Sequence, residues 1–245
     1  MSRHRRQRSA SRQRFLMHLH RPDPAYTGSD RARHNFWLAM RLTAGFIAVM
    51  WAVFLFDVLT GLELARFGLR PRDSMGLLGL VTTPLLHAHL GHIASNTVPL
   101  FIGGVAILFL YPNSALKALP VMYVGSAAVA WVFARPNLHI GASGLVYAML
   151  AFVFVSGVLK RDLRSVGVSL LIWFLYGSMV WGVLPVDSSS SWELHASGAI
   201  IGVILAFVFR HQDLPPVKRY DWEWEEEFPD EVDDERDRRP GDPWP

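Results

Sequence analysis

Six long apolar stretches constrain the fold of this chain more than any other feature of its sequence. A helix needs about 20 apolar residues to cross a bilayer, and each stretch is close to that length, although His, Asn, Ser and Gly interrupt some of them. The stretches are 37–60, 84–111, 115–134, 141–159, 163–184 and 194–210. A soluble protein has too little polar surface to cover six such helices in succession. The chain is therefore predicted to be an all-α, polytopic membrane protein with six transmembrane helices.

Two oppositely charged tails flank the predicted spans. Residues 1–36 contain nine arginines and two aspartates, whereas residues 213–245 contain thirteen acidic and five basic side chains. Basic segments stay on the cytoplasmic side and are attracted to anionic lipid headgroups, so the arm indicates contact with the lipid bilayer and not with nucleic acid. We expect a disordered basic arm (1–36), a six-span domain (37–210) and a disordered acidic tail (211–245), with both termini cytoplasmic.

Ser143 lies near the start of the fourth span, between Gly141 and Gly144. If Lys160 marks the inner membrane boundary, the helix from Ser143 rises only about 25 Å, less than the roughly 30 Å of the hydrocarbon layer, so it begins below the outer surface. The first N–H groups of a helix have no intrahelical partner and are suited to bind an oxyanion. Gly-x-Ser-Gly alone is more typical of helix packing, so a role as nucleophile also requires a base.

The sixth span offers that base. His195, Gly198 and Gly202 are spaced i, i+3 and i+7 and therefore lie on one stripe of a helix. The two glycines form a G-x-x-x-G face, which allows close approach of another helix with small residues. The fourth span, through Gly144, is the natural partner, and this packing would place the imidazole beside the serine hydroxyl.

A serine nucleophile also needs donors for the oxyanion and support for its base. The Ser143 N–H and the side chains of His92 and Asn96, which are four residues apart on the second span, are the candidate donors. Tyr147 follows the serine by one turn and can stack on the imidazole. Within the predicted spans no Asp or Glu lies near these residues, and the chain contains no cysteine. We therefore expect a Ser143–His195 dyad without a third carboxylate.

Together these motifs resemble the rhomboid family of intramembrane serine proteases. The resemblance covers about 84–210 and implies a six-helix bundle in which the serine attacks a peptide bond of a substrate's transmembrane segment. It also implies oxyanion donation by His92 and Asn96, support from His87, a ring beneath the catalytic histidine, no cofactor and a bacterial cell membrane. The three motifs are His87-x4-His92-x3-Asn96, Gly141-Ala-Ser143-Gly144-x2-Tyr147 and His195-x2-Gly198-x3-Gly202.

Two features depart from the family pattern. Leu194 precedes the histidine where many members have a small residue. The connection 61–83 lacks the Trp-Arg pair of some bacterial members, and its mixture of leucines and arginines fits either the outer headgroup layer or a solvated loop.

Two other functions stay open. A rhomboid-like protein without activity would only bind transmembrane helices, although such proteins usually lack the serine or the histidine. A transporter would use the histidines as metal ligands. That alternative leaves Gly-x-Ser-Gly unexplained and has no carboxylate within the predicted spans, so we expect no metal site. The histidines concerned are His87, His89, His92, His139 and His195.

Overall fold

The computed structural model describes residues 30–160, 163–185 and 191–214. Within these ranges the chain is helical and has no β-strand, only an isolated antiparallel bridge between Leu69 and His139. The all-α prediction is confirmed. We number the six long helices α1 (Asp30–Thr60), α2 (Leu90–Leu110), α3 (Pro112–Phe133), α4 (Ser143–Lys160), α5 (Leu163–Tyr176) and α6 (Trp192–Val208).

Among the described residues, five helical segments are long and apolar enough to cross a membrane. Four of them are α1 to α4, and the fifth is Ser165–Val183, in which α5 continues as a 3-10 helix (Gly177–Val183). The sixth predicted span corresponds to α6, which is apolar but has only 17 residues and rises roughly 26 Å. The bundle thus contains the six predicted helices, one of them shorter than a full span.

Two helices begin six or more residues from their predicted starts. α1 begins at Asp30, so residues 30–36 of the predicted disordered arm form its first turns. α2 begins at Leu90 and not at position 84, because the backbone of His89 is extended and its Nδ1 accepts a hydrogen bond from the N–H of His92 (3.1 Å). His87 therefore precedes the helix on which the sequence placed it.

Asp213 anchors the end of the bundle to the start of α3. Its carboxylate accepts hydrogen bonds from the backbone N–H groups of Asn113 and Ser114 (3.1 and 2.9 Å) and from their side chains (both 2.6 Å). Those N–H groups have no acceptor within α3. Residues 211–214 of the predicted tail thus pack on the bundle, while the remaining tail residues, 1–29 and 215–245, lie outside the described residues.

α4 is the central helix of the bundle. Of its residues 67% are buried, against 11% in the span that contains α5, and it packs against α2, α3, α5 and α6. α6 lies directly on it, since a Cβ at Gly198 or Gly202 would clash with the carbonyl oxygens of Gly144 and Ala148. This close approach is the pairing that the glycine spacing predicted.

The connection between α1 and α2 is folded and is fixed to the end of α3. It contains three 3-10 helices and one helical turn. Arg72 donates from its backbone N–H to the carbonyl of Trp131 (3.1 Å) and from Nη1 to that of Val132 (3.0 Å). The apolar side chains that this connection exposes favour a position in the headgroup layer over a solvated loop. They include Leu62, Met75, Leu77, Leu78 and Val81.

Candidate active site

Ser143 and His195 lie within hydrogen-bond distance of each other. The serine Oγ is 2.8 Å from the imidazole Nε2. Ser143 is the first residue of α4, and His195 lies in the first turn of α6, so the close packing of these two helices brings the side chains together. The sequence predicted this juxtaposition from helix spacing.

The carbonyl of Gly182 orients the imidazole of His195. Its oxygen lies 3.0 Å from Nδ1. A carbonyl oxygen only accepts, so the hydrogen-bond network assigns the proton of the neutral ring to Nδ1 and leaves Nε2 to accept from the hydroxyl of Ser143. This is the tautomer that a general base for serine requires. Sequence patterns do not reveal this acceptor, because every residue has a backbone carbonyl.

Tyr147 stacks on the imidazole, as the sequence predicted. The ring centroids of Tyr147 and His195 are 4.3 Å apart and the ring planes differ by 10°. The phenol Oη donates to the carbonyl of Met179 at 2.9 Å. Met179 and the carbonyl that orients the imidazole both belong to the Gly177–Val183 segment, which therefore holds each of the two stacked rings through one backbone oxygen.

Asn96 and His87 connect α2 to the start of α4. The Nδ2 of Asn96 donates to the His87 Nε2 (3.2 Å) and to the carbonyl of His92 (3.1 Å). The N–H of Ala142 also points at the His87 Nε2, at 3.4 Å. His87 thus contacts both a predicted oxyanion donor and the residue that precedes Ser143.

Gly141 lets His92 approach the chain just before α4. Its φ of +111° belongs to a region that favours glycine, and a Cβ at this position would fall 2.5 Å from the His92 Nε2. Its N–H is held by the carbonyl of Thr83 (2.9 Å). Both predicted oxyanion side chains, His92 and Asn96, therefore lie beside the N-terminus of α4.

The backbone at the start of α4 supplies further donors. The first hydrogen bond of this helix runs from the N–H of Val146 to the carbonyl of Ala142 (3.0 Å). Ser143 and the two residues after it therefore have N–H groups without an acceptor inside the helix. Such groups, at the positive end of the helix dipole, are suited to bind a negatively charged oxygen.

A cavity of about 890 Å³ reaches these side chains. Its wall is formed by the first half of α2, by residues before and at the start of α4, by the end of α5 with the 3-10 helix that follows it, and by the start of α6. Five of the predicted site residues line it: His92, Asn96, Ser143, Tyr147 and His195. An extended peptide segment that entered this cavity would reach both Ser143 and the proposed oxyanion donors.

The other histidines contact different partners. His89 caps α2, and buried His139 places Nδ1 3.0 Å from the Ser191 Oγ and Nε2 3.2 Å from the carbonyl of Arg135. Among the residues that the structure describes, no three His, Cys, Asp or Glu side chains are grouped as metal ligands.

Leu194 fits its position because Gly144 has no side chain. It is 2% exposed, and a Cβ at Gly144 would fall 2.9 Å from the leucine Cγ. The larger residue before the histidine thus fills space next to the start of α4.

Glu193 is a buried carboxylate near the site that the sequence did not predict. It lies two residues before His195, just outside the predicted span but inside α6. Its oxygens contact Arg135, while the Nδ1 of His195 donates to a backbone carbonyl.

Known proteins resemble the part of the chain that carries this site. The family model of the Rhomboid domain matches residues 75–212. Over 172 residues the chain is 33% identical to the uncharacterized protein Rv1337 of Mycobacterium tuberculosis, covering 66% of this chain and 72% of that protein. The uncharacterized protein ML1171 of Mycobacterium leprae is 31% identical to this chain over 172 residues, which cover 66% of this chain and 68% of ML1171. The family match includes both Ser143 and His195.

Proposed function

Because the chain belongs to the rhomboid family, which includes intramembrane proteases and inactive members, we propose that it is an active intramembrane serine endopeptidase. It hydrolyses peptide bonds in or next to the transmembrane segments of other membrane proteins. The observation that carries this proposal is the 2.8 Å contact between the Ser143 Oγ and the Nε2 of a His195 ring whose Nδ1 donates to the Gly182 carbonyl. An inactive member has no need of this arrangement.

In the acylation step, the Nε2 of His195 removes the hydroxyl proton while the Oγ of Ser143 attacks the carbonyl carbon of the scissile bond. The imidazolium that forms keeps its Nδ1–H on the Gly182 carbonyl and lies on the face of the Tyr147 ring, and both contacts favour a positive charge. His195 then gives the proton to the leaving amine. Water, deprotonated by the same imidazole, hydrolyses the acyl-enzyme and restores the hydroxyl of Ser143.

The oxyanion of each tetrahedral intermediate is bound by the Ser143 N–H and by the side chains of His92 and Asn96. Both donor hydrogens of the Asn96 amide are directed at partners in the resting site, the His87 Nε2 and the carbonyl of His92. Asn96 therefore exchanges one of these hydrogen bonds for the oxyanion. A donor of this kind contributes mainly in the transition state.

The proposed substrate is a transmembrane segment that unwinds easily. In an intact helix the scissile carbonyl accepts a hydrogen bond from its own backbone and is shielded by side chains, so the scissile bond must leave its helix to reach Ser143. Small residues such as glycine and serine near the bond favour that unwinding, because they have a lower helix propensity than alanine and pass more readily into the cavity. We place the protein in a bacterial cell membrane with both termini in the cytoplasm, in agreement with the arginine-rich arm and the positive-inside rule.

The test uses the full chain in proteoliposomes with a model transmembrane substrate. We expect S143A and H195A each to abolish cleavage, and the wild type alone to react with a fluorophosphonate probe at Ser143. S156A is the matched control, since Ser156 is another buried serine of α4, far from the cavity. Cleavage by S143A above a few per cent contradicts the proposal. A wild type that binds the substrate but neither cleaves it nor reacts with the probe is an inactive helix-binding member of the family.

A further inference from the structure

An ion pair between half-exposed Arg135 and buried Glu193 joins the end of α3 to the start of α6. The carboxylate of Glu193, only 6% exposed, accepts from the Nε of Arg135, from its Nη2 (3.2 Å) and from its backbone N–H (3.3 Å). Two parallel hydrogen bonds from a guanidinium to a carboxylate define both the distance and the orientation of the two groups. The indole of Trp192 adds a cation–π contact at 5.9 Å from the guanidinium carbon.

The first turn of α6 is held from outside the helix. Its N-cap residue, Ser191, makes no side-chain hydrogen bond to the helix backbone. The Oγ of Ser191 instead lies 3.0 Å from the Nδ1 of His139, whose Nε2 contacts the carbonyl of Arg135. Ser191 and Glu193 thus connect the start of α6 to the same short segment after α3.

The contact between α6 and α4 does not by itself fix the rotation of α6. Gly198 and Gly202 touch the carbonyls of Gly144 and Ala148. These positions bring the helix axes close but have no side chains that oppose rotation, and buried Leu194 packs on Gly144, which likewise has no side chain to interlock with it. The rotational position of α6 must be fixed by other residues.

Helix geometry links that rotation to the base. Glu193 and His195 are two residues apart and therefore lie roughly 200° apart around α6, one toward α3 and the other toward α4. The imidazole Nε2 lies roughly 6 Å from the helix axis, so a rotation of about 10° moves it by roughly 1 Å. A displacement of that size at a catalytic group costs about 10²-fold in rate.

We propose that Arg135 and Glu193 are positioning residues that lock the rotation of α6 and thereby hold His195 on Ser143. This inference rests on the proposed function for its kinetic consequence, although the lock itself is a property of the bundle. This role explains why the carboxylate of Glu193 is paired with Arg135, at the end of another helix, and not with the imidazole of His195. The Nδ1–H of His195 donates to the Gly182 carbonyl instead.

The kinetic test compares E193A and E193Q with the charge-exchanged double variant R135E/E193R. We measure the rate of reaction with the fluorophosphonate probe, kcat and KM for the model substrate, and the melting temperature of each sample. E193A should lower the probe rate and kcat by about 10²-fold with little change in KM. E193Q should show a smaller loss, and the exchanged pair should recover most of the rate.

R72A is the matched control. Arg72 also binds the end of α3, through the carbonyl of Val132, but contacts none of the residues of the lock. The proposal is overturned if R72A lowers the probe rate and kcat as much as E193A does. It is also overturned if E193A and E193Q keep the wild-type probe rate while their melting temperature falls. The second result would mean that the pair only stabilises the fold.

A readout without chemistry separates this proposal from the proposed function. The chain has no cysteine, so I200C on the exposed side of α6 accepts a single trifluoromethyl tag. E193A should shift or split the ¹⁹F signal of that tag, and R135E/E193R should restore it. An unchanged signal in E193A refutes the lock even if the enzyme is active, whereas a wild type that does not react with the probe contradicts the proposed function alone.

Discussion

A methyl group added at Gly198 tests the central helix contact most directly. In the structure, the Cβ of G198A would clash with the Gly144 carbonyl oxygen. This oxygen belongs to the backbone of α4 and is unable to turn aside. A normal carbon–oxygen contact therefore requires α6 to move away from α4 by about 1 Å. The same reasoning applies to Gly202, which lies on the Ala148 carbonyl.

The expected cost has two parts. Overpacking of a tight contact costs about 1–3 kcal/mol in the free energy of unfolding. On the scale of soluble domains of this size, this corresponds to a melting temperature roughly 2–12 °C lower. Displacing α6 by about 1 Å also lengthens the 2.8 Å contact between Ser143 and His195, so kcat should fall by about 10²-fold in the molecules that remain folded.

Melting temperature and kcat are measured on the same detergent-solubilised samples of G198A and G202V. G45A is the control, because Gly45 lies within α1 and an added Cβ there meets no atom within 4 Å. Alanine is also the better helix former, so G45A should be neutral or more stable by up to about 1 kcal/mol. Wild-type melting and turnover in G198A and G202V would refute the claim that this glycine contact positions the base.

Three further predictions concern the site and the contact of Asp213 with the start of α3. Tyr147→Phe keeps the ring beneath the imidazole and should retain most of kcat, whereas Tyr147→Ala should not; equal inactivity of both would assign the catalytic role to the hydroxyl. His92→Ala and Asn96→Ala should each lower kcat by about 10²–10³-fold with little change in KM, and the double variant should lose less than the product. Normal turnover per folded molecule in either single variant would exclude its oxyanion role. Asp213→Ala removes the acceptor of four hydrogen bonds and should destabilise the protein by about 1–2 kcal/mol, with Asp213→Asn intermediate and exposed Asp30→Ala unchanged. If Asp213→Ala melted like the wild type, the anchor would contribute nothing to stability.

Helix periodicity explains why the meeting of Ser143 and His195 was predictable. The spacing of His195, Gly198 and Gly202 fixes one face of α6 whatever the rest of the chain does. Glycines on that face require a close partner, and the small residues of α4 were the natural choice. The stacking of Tyr147 followed from the same geometry, because it lies one turn after the serine.

The parts that the sequence did not predict depend on backbone groups or on residues in unusual roles. The Gly182 carbonyl has no sequence signature, and it reaches the site only because α5 ends in a 3-10 helix. Histidine is an uncommon N-cap, so the start of α2 after His89 was placed several residues too early. Asp213 lay in an acidic stretch typical of a tail, and Glu193 lay one residue outside the predicted span.

The two carboxylates that were missed have a joint mechanical consequence. Glu193 joins the start of α6 to the end of α3, and Asp213 joins the residues after α6 to the start of α3, so the two helices are fastened at both ends. Because α4 packs against both α3 and α6, the helices that carry the proposed nucleophile and base form one rigid unit. The carbonyls that hold the imidazole and the phenol belong instead to the peripheral Gly177–Val183 segment. An outward movement of that segment would leave Ser143 and His195 side by side but remove the Gly182 oxygen that keeps the proton on Nδ1. The proposed activity therefore depends on this segment as well as on α3, α4 and α6.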